Sequence, residues 1–226
     1  RQRVLEPNVI TCSAAISACE KGSQWPEALG MFVDYHRRGL GPNVVMYNDA
    51  ILACGNGSLW PEALDMLSDM RHHGLDPNMH NYDAVIHACG SGAQWIEALR
   101  VFLKIRQRTL EPTVITYNRA LSACEQGAQW QQASGLLSDM RQRVLGLDVF
   151  TYTSALSTFG NVIRWLEALR MFLSMNLRVL APDVAPYNAA ISALGRGSQW
   201  QDALGVLADM RRRVLEPDAI SYNAAI

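Results

Sequence analysis

Hydrophobic positions in this chain follow helical spacing within short segments, and the same segments return along the sequence. Tyr47, Ala50, Ile51 and Cys54 stand at i, i+3, i+4 and i+7, which places them on one face of a helix. A second hydrophobic stripe occupies residues 63–70, after a turn that contains glycine. The pattern therefore predicts two amphipathic helices joined by a short turn.

This pair of helices returns every 35 residues, and three residue types keep that spacing. They are Trp25, Trp60, Trp95, Trp130, Trp165 and Trp200; Pro7, Pro42, Pro77, Pro112, Pro182 and Pro217; and Tyr47, Tyr82, Tyr117, Tyr152, Tyr187 and Tyr222. The one vacant proline slot holds Leu147. Self-similarity at a period of this length is typical of helical or other repeat arrays.

One helix pair cannot bury its own hydrophobic stripe, so neighbouring pairs must stack to complete a core. We therefore predict an all-α fold, an α-solenoid (superhelix) of stacked helix-turn-helix repeats, with residues 1–226 in a single array. The complete units are 9–43, 44–78, 79–113, 114–148, 149–183 and 184–218, with partial units at 1–8 and 219–226. The sequence stops inside a new unit, so we expect it to be a segment of a longer protein.

The periodic Trp and Cys positions are interpreted as structural. We predict that the Trp side chains wedge between units, and that Trp130 is buried between its own two helices and the adjoining unit. One position of the first-helix stripe is shared by Cys19, Cys54, Cys89 and Cys124, while Cys12 stands apart. This spacing does not suit a disulfide framework, so we predict reduced, buried thiols.

Composition limits the classes of function. The chain has 20 basic and 21 acidic residues and a net charge of -1, and 49% of its residues are hydrophobic. A large core is therefore available, and binding of nucleic acid by charge alone is excluded. No apolar run is long enough to cross a bilayer, so we predict no membrane partner.

Catalytic and metal-binding motifs do not recur along the chain. The one metal-like group in the sequence is His72, His73, His80, His87 and Cys89, and no paired cysteine spacing supports a zinc site there. We find no phosphate-binding loop, nucleophile elbow or recurring carboxylate pair. We therefore predict no metal, no cofactor and no enzymatic activity, and leave open a catalytic domain outside this segment.

Three motifs recur in register with the period: V-x-T-Y-N-x-A-(I/L)-S-A in the first helix, G-x-Q-W-x-x-A-L at the turn, and M-R-x-R-x-L-x-P-(D/N) at the end of the unit. Tetratricopeptide repeats have a similar architecture but a period of about 34 residues. The period and all three motifs instead resemble the pentatricopeptide repeat family, with its 35-residue P-type repeats. The resemblance extends over the whole chain.

The resemblance implies sequence-specific binding of single-stranded RNA, with one base per repeat. In that family the fifth and the last residue of a unit form the base-reading pair. The pairs here are Ser13 with Asn43, Asn48 with Asn78, Asp83 with Thr113, Asn118 with Asp148, Thr153 with Asp183, and Asn188 with Asp218. The second residue packs against the base: Ile10, Val45, His80, Ile115, Phe150 and Ala185. Lys21 and Arg196 stand at the position that contacts the RNA backbone.

By the family's pairing preferences, Ser-Asn selects A, Asn-Asn selects C and then U, Asn-Asp selects U, and Thr-Asp selects G. With the chain's N-terminus at the RNA 5′ end, the implied target is A, C or U, an undetermined base, U, G and U. Asp83 with Thr113 is the pair with no assigned base. The resemblance also implies a mitochondrial or chloroplast location, a role in RNA processing, stabilisation, editing or translation, a monomeric array, and other RNA-processing proteins as partners.

Three alternatives stay open at this point. The last residues of the units could be helix N-caps alone, since Asn, Asp and Thr favour that position. Against this, the third residue of most units is the better-placed candidate cap: Thr11, Asn81, Thr116, Thr151 and Ser221. The array could instead be a scaffold for a peptide or protein, as in tetratricopeptide repeats, or it could target a catalytic domain elsewhere.

The distribution of charge argues against strong RNA binding. Fourteen of the 20 basic residues lie in or just after second helices. The cations in first helices or their turns are Lys21, Arg119, Arg164 and Arg196. We therefore predict modest affinity and weak neutralisation of phosphates.

Overall fold

The computed structural model describes residues 9–108, 110–176 and 183–225, so the predicted partial unit 1–8, with Pro7, and Pro182 lie outside the described residues. Within those ranges it contains thirteen helices and no strand. They are α1 (Val9–Lys21), α2 (Trp25–Arg37), α3 (Val44–Asn56), α4 (Trp60–His72), α5 (Met79–Ser91), α6 (Trp95–Gln107), α7 (Val114–Gln126), α8 (Trp130–Gln142), α9 (Val149–Asn161), α10 (Trp165–Asn176), α11 (Val184–Arg196), α12 (Trp200–Arg212) and α13 (Ala219–Ala225).

The chain forms two compact units, residues 1–112 and 113–226. In the first, α3 packs against α5 and each first helix packs against its own second helix. In the second, α9 packs against α7 and α11, and α11 packs against α12. The predicted all-α class and the stacking of helix-turn-helix repeats are thus confirmed within each unit.

The first helix of each repeat begins directly after the last residue of the preceding one. Asn43, Asn78, Thr113 and Asp148 have extended backbone angles, and each side chain accepts a hydrogen bond from the backbone N–H three residues later. The prediction that the third residue is the cap is therefore wrong, because that residue lies within the first turn. The last residue of a repeat is an N-cap and can still present its remaining polar atoms.

The buried face of the first helices is the one that the sequence predicts. Tyr47, Tyr82, Tyr117, Tyr152 and Tyr187 all have 0% exposure. In three repeats the Tyr hydroxyl donates to an aspartate of the second helix, as from Tyr187 to Asp209 at 2.9 Å. Burial and this aspartate raise the pKa of Tyr187 to about 12. The tyrosine therefore fixes the two helices of a repeat together.

Tryptophan packs against the turn of the following repeat, as a wedge between neighbours. A Cβ atom added to Gly57 would lie 2.9 Å from the ring of Trp25, and one added to Gly92 would lie 2.5 Å from Trp60. Glycine is needed at these turns because the ring occupies the space of a side chain. Trp130, however, is half-buried, and the guanidinium of Arg164 lies 3.9 Å from the centre of its ring. The prediction that Trp130 is fully buried is wrong, because the ring lies at the edge of the turn.

Three of the four periodic cysteines are buried: Cys54, Cys89 and Cys124. Burial raises the pKa of each of these thiols to about 12. Cys12 and Cys19 are half-buried, so the prediction of burial is wrong for both, since no described helix precedes α1 and covers them. The three buried thiols are accordingly held in the unreactive, protonated form.

Alkylation of the native protein should therefore modify only Cys12 and Cys19 within the first minutes at pH 8. The other three thiols are both inaccessible and protonated, and should react only when the chain unfolds. Mass spectrometry after iodoacetamide treatment, with and without denaturant, measures this difference. Rapid modification of Cys89 in the native protein would contradict the described packing.

None of the described helices combines the length and the apolar character needed to cross a membrane.

Candidate nucleic-acid interface

The predicted base-packing residues form a periodic, exposed position near the start of the first helices, and all of them except His80 are apolar. Ile10 is 77% exposed, Ile115 is 59% exposed and Phe150 is 53% exposed. Val45, His80 and Ala185 are exposed as well. A large apolar side chain that recurs on the surface at one repeat position is available for contact with a ligand.

Two of the predicted pairs in the second compact unit are joined by direct hydrogen bonds. The Asn118 Nδ2 donates to both carboxylate oxygens of Asp148, at 3.2 and 3.0 Å. The Asn188 Nδ2 makes the same contact with Asp218, at 3.1 Å to each oxygen. The fifth and last residues of these repeats therefore meet, although 30 positions separate them in the sequence.

A third residue, which the sequence analysis treated as a cap, fixes the orientation of each asparagine. The Thr151 hydroxyl donates to the Asn118 Oδ1 at 2.7 Å, and the Ser221 hydroxyl donates to the Asn188 Oδ1 at 2.5 Å. With Oδ1 held in this way, Nδ2 must point toward the aspartate. A small hydroxyl residue at the third position of the next repeat was the available signal for this role.

The Asn48 and Asn78 pair lacks this direct bond. Asn78 caps α5 and exchanges two hydrogen bonds with Asn81, at 3.0 and 3.2 Å. The Oδ1 of Asn48 and the Nδ2 of Asn81 are buried and have no hydrogen-bond partner among the described residues. In the Asn118 and Asn188 clusters, the asparagine Oδ1 at the equivalent position accepts a hydrogen bond from the third residue of the next repeat.

Among the described residues, no hydrogen bond joins Thr153 to Asp183 or Ser13 to Asn43. Thr153 donates to the backbone carbonyl of Val149 at 2.8 Å, and Asp183 accepts from the backbone of Val184 at 2.7 Å. Ser13 is half-buried, and its partner Asn43 caps α3.

Asp83 belongs to the first compact unit and Thr113 to the second. Asp83 is 6% exposed on α5, and Thr113 caps α7.

Charges near these pairs are mixed. The Arg196 Nη1 donates to the Asn161 Oδ1 at 2.6 Å, and Lys21 is exposed at the end of α1. A hydrogen bond from the backbone of Ser221 lowers the pKa of the exposed Asp218 carboxyl. Burial raises the pKa of Glu125, which also contacts serine side chains of α9. The Glu125 carboxyl therefore lies on the same surface as Arg196.

A groove of about 360 Å³ in the second compact unit brings several predicted residues together. Thr153, Asn188, Ala185 and Arg196 all line it, and so does Glu125. The first four stand at predicted base-reading, base-packing and backbone-contacting positions, whereas Glu125 belongs to none of these. The residues that line the groove come from consecutive repeats, and most of their side chains are small.

Comparison with known proteins finds one family, whose model matches most of the chain. A family model described as a pentatricopeptide repeat domain matches residues 1–57, 31–92, 65–126, 135–197 and 170–226. No curated protein matches the chain significantly.

Solved structures of this family superpose on the chain. The pentatricopeptide repeat protein PPR10 from maize is 26% identical, with a TM-score of 0.71, over 100% of this chain and 32% of PPR10. PPR10 in complex with an 18-nt psaJ RNA element is 25% identical, with a TM-score of 0.62, over 99% of this chain and 36% of that one. The chain therefore spans about a third of the length of PPR10.

A more distant match shares the fold. The PPR domain of Arabidopsis thaliana protein-only RNase P 1, in complex with tRNA, is 14% identical, with a TM-score of 0.66. The alignment covers 76% of this chain and 91% of that domain.

Proposed function

The chain belongs to the pentatricopeptide repeat family, and we propose that it binds single-stranded RNA by sequence, with one base per repeat. The observation that carries this proposal is the hydrogen-bonded Asn118–Asp148 pair, repeated as Asn188–Asp218. Each pair presents an oriented donor next to an acceptor, beside an exposed apolar residue. Similarity to PPR10, whose structure is known with an RNA element, supports the same conclusion.

The chemistry of the Asn–Asp pair is complementary to uracil. The Watson–Crick edge of uracil has one N–H donor between two carbonyl acceptors. The Asp148 carboxylate can accept from that N–H, while the remaining Nδ2 hydrogen of Asn118 can donate to a neighbouring carbonyl. Since Thr151 holds the Asn118 amide in one orientation, the opposite arrangement of donor and acceptor is disfavoured.

The apolar second residues complete the base site. Ile115 and Phe150 stand at this position in consecutive repeats, and both are more than half exposed. A base between two such side chains would be covered on both faces, and stacking on an aromatic ring contributes about 1–3 kcal/mol per base. The apolar contact supplies affinity for any base, and the polar pair supplies the choice among bases.

Thr151→Val tests the proposed base site without removing either member of the pair. We expect the preference for U over the other bases at the fourth position to fall by about 1 kcal/mol, because the Asn118 amide loses its fixed orientation. Fluorescence anisotropy with RNAs that differ only at that base measures the effect.

The matched control is Thr158→Val, another buried threonine of α9, whose hydroxyl donates to the backbone carbonyl of Ser154 at 2.6 Å. It should leave the base preference unchanged. An equal preference in wild type and Thr151→Val would contradict the proposed role of Thr151 in orienting Asn118 toward the base. Tight binding of a peptide, with no RNA binding, would favour the scaffold alternative.

The dependence of RNA binding on salt should be shallow. Lys21 and Arg196 are the cations at the predicted backbone-contacting position, and Arg196 already bonds to Asn161. Neutralising about two to three phosphates, at about 0.7 each, gives a slope of log K against log salt of about -1.4 to -2.1. Titrations between low and physiological salt measure it. A slope that corresponds to six or more phosphates would mean that arginines of the second helices contact the RNA.

We also propose that the RNA is a mitochondrial or chloroplast transcript, and that this segment contributes recognition to its processing, stabilisation, editing or translation. In this proposal the segment acts as a monomeric array and performs no catalysis. Other RNA-processing proteins are proposed as partners. Family membership is the support for these points.

A further inference from the structure

A cluster of two histidines and one aspartate joins the second helices of the first two repeats. His36 lies in the last turn of α2, Asp69 lies in α4, and His73 follows the end of α4. The Nε2 of His36 is 3.8 Å from one carboxylate oxygen of Asp69, and the Nε2 of His73 is 3.5 Å from the other. Ligand atoms from all three residues lie within 4.8 Å of one another.

The same repeat positions hold arginine elsewhere in the chain. Asp139 and Asp209 are the counterparts of Asp69, and their partners four residues later are Arg143, at 3.3 Å, and Arg213, at 3.1 Å. Those aspartates therefore have a permanent cation beside them. In the second repeat this cation is replaced by His73, which has a lone pair to offer when it is neutral. The substitution changes an ion pair into a set of potential metal ligands.

The three side chains are held in place before any ligand binds. The Tyr47 hydroxyl donates to the Asp69 Oδ2 at 2.5 Å, so the carboxylate has one fixed orientation. The His36 ring is stacked on Phe32, with 6.2 Å between ring centroids, and it contacts the edge of the His73 ring. Hydrogen bonds of this kind to a ligating carboxylate are typical of metal sites.

We propose that His36, Asp69 and His73 form a binding site for a divalent transition metal such as Zn²⁺. Two imidazoles and a carboxylate suit such an ion, whereas Ca²⁺ and Mg²⁺ prefer ligands that are all oxygen atoms. Bonds of about 2.0–2.1 Å require tetrahedral ligands about 3.3 Å apart. Each Nε2 lies 3.5 or 3.8 Å from one oxygen of Asp69, and one ligand atom from each residue lies within 4.8 Å of the other two, so binding of the ion requires the side chains to move closer together. The negative ends of α2 and α4 also favour a cation there.

This cluster differs from the metal-like group of histidines and one cysteine in the sequence. Of His72, His73, His80, His87 and Cys89, the structure places only His73 in the cluster. Because His36 belongs to the first repeat and the other two ligands to the second, a bound metal would link consecutive repeats. Metal binding would then raise the melting temperature of the folded chain, since the unfolded chain has no assembled site.

The test uses the full 226-residue chain, stripped of metal with a chelator, and titrated with Zn²⁺ by calorimetry and with Co²⁺ by absorption spectroscopy. We expect one equivalent of Zn²⁺ to bind, and Co²⁺ to give a spectrum of nitrogen and oxygen ligation. A thiolate-to-cobalt band would instead assign the metal to the cysteines and overturn the proposal.

His73→Arg introduces the residue that stands at this position in the sixth repeat, so the fold should be retained. We expect it to weaken Zn²⁺ binding by at least about tenfold. Asp69→Asn should have a similar effect, and serves as a second variant. The control is His72→Arg, the same substitution at the neighbouring exposed residue, which should leave the affinity unchanged. Equal affinities of wild type and His73→Arg, or no binding by the wild type, would overturn the proposal.

Discussion

Thr153→Asn should change the base preferred by the fifth repeat from G to U. A threonine hydroxyl and an aspartate carboxylate can serve the acceptor and donors of guanine, whereas the asparagine introduced here can form the amide–carboxylate contact seen between Asn118 and Asp148. We expect the preference to shift by about 1 kcal/mol or more, the cost of leaving a polar group of the wrong base unpaired. Competition binding against RNAs that differ only at the fifth base measures the shift.

Thr151 and Ser221 each donate to the asparagine of the preceding repeat in their clusters. Pro186 stands at the equivalent position beside residue 153, and its side chain has no hydrogen-bond donor. The single variant should therefore show a smaller preference for U than the Asn118 repeat does. Addition of Pro186→Thr should increase that preference, because the threonine hydroxyl can donate to the introduced amide. The fourth base, which contacts Asn118 and Asp148 in the proposal, is the internal control and should not change. A loss of selectivity at both bases together would contradict independent recognition by each repeat.

Gly160→Leu should destabilise the chain by about 3 kcal/mol or more, the upper range for overpacking a core. Gly160 lies where α9 packs against Ala193 of α11. A Cβ atom at Gly160 would lie 3.0 Å from the Cβ of Ala193 and 3.2 Å from its Cα. A leucine side chain would have to separate the two first helices, and these are the helices that carry the predicted base-reading residues.

The matched control is Gly135→Leu in α8, where an added Cβ would meet no atom within 4 Å. There the leucine should be neutral or stabilising by up to about 1 kcal/mol, because glycine has a poor helix propensity. Urea denaturation followed by circular dichroism gives both free energies of unfolding. Similar values for the two variants would show that the first helices do not pack as closely as described.

The repeat period alone predicted the helix pairs, because a buried stripe must recur wherever a helix packs on its neighbour in the same way. Tyr117 and Tyr152, for example, are fully buried as predicted. The exact start of the first helix was harder to predict, since Thr151 and Asp148 are both good capping residues. The structure shows that Asp148 is the cap, while Thr151 bonds to the asparagine of the preceding repeat.

Contacts between repeats account for most of what the sequence did not predict. The role of Thr151 depends on how two consecutive first helices are aligned, which no pattern within one repeat reveals. The half-buried ring of Trp130 depends on the local shape of the next turn, where Arg164 packs on it. His36 and His73 stand in different repeats and at different positions, so only packing brings them together.

The most direct test of the account is the affinity of the wild-type chain for a short single strand that contains 5′-A-C-N-U-G-U-3′, against a strand of the same composition in scrambled order. The account predicts that the ordered strand binds at least about tenfold more tightly, or about 1.4 kcal/mol, at the same salt concentration. A duplex of the same sequence should bind weakly, because its base edges are not accessible. Equal affinity for the ordered and scrambled strands would contradict base recognition by the repeats.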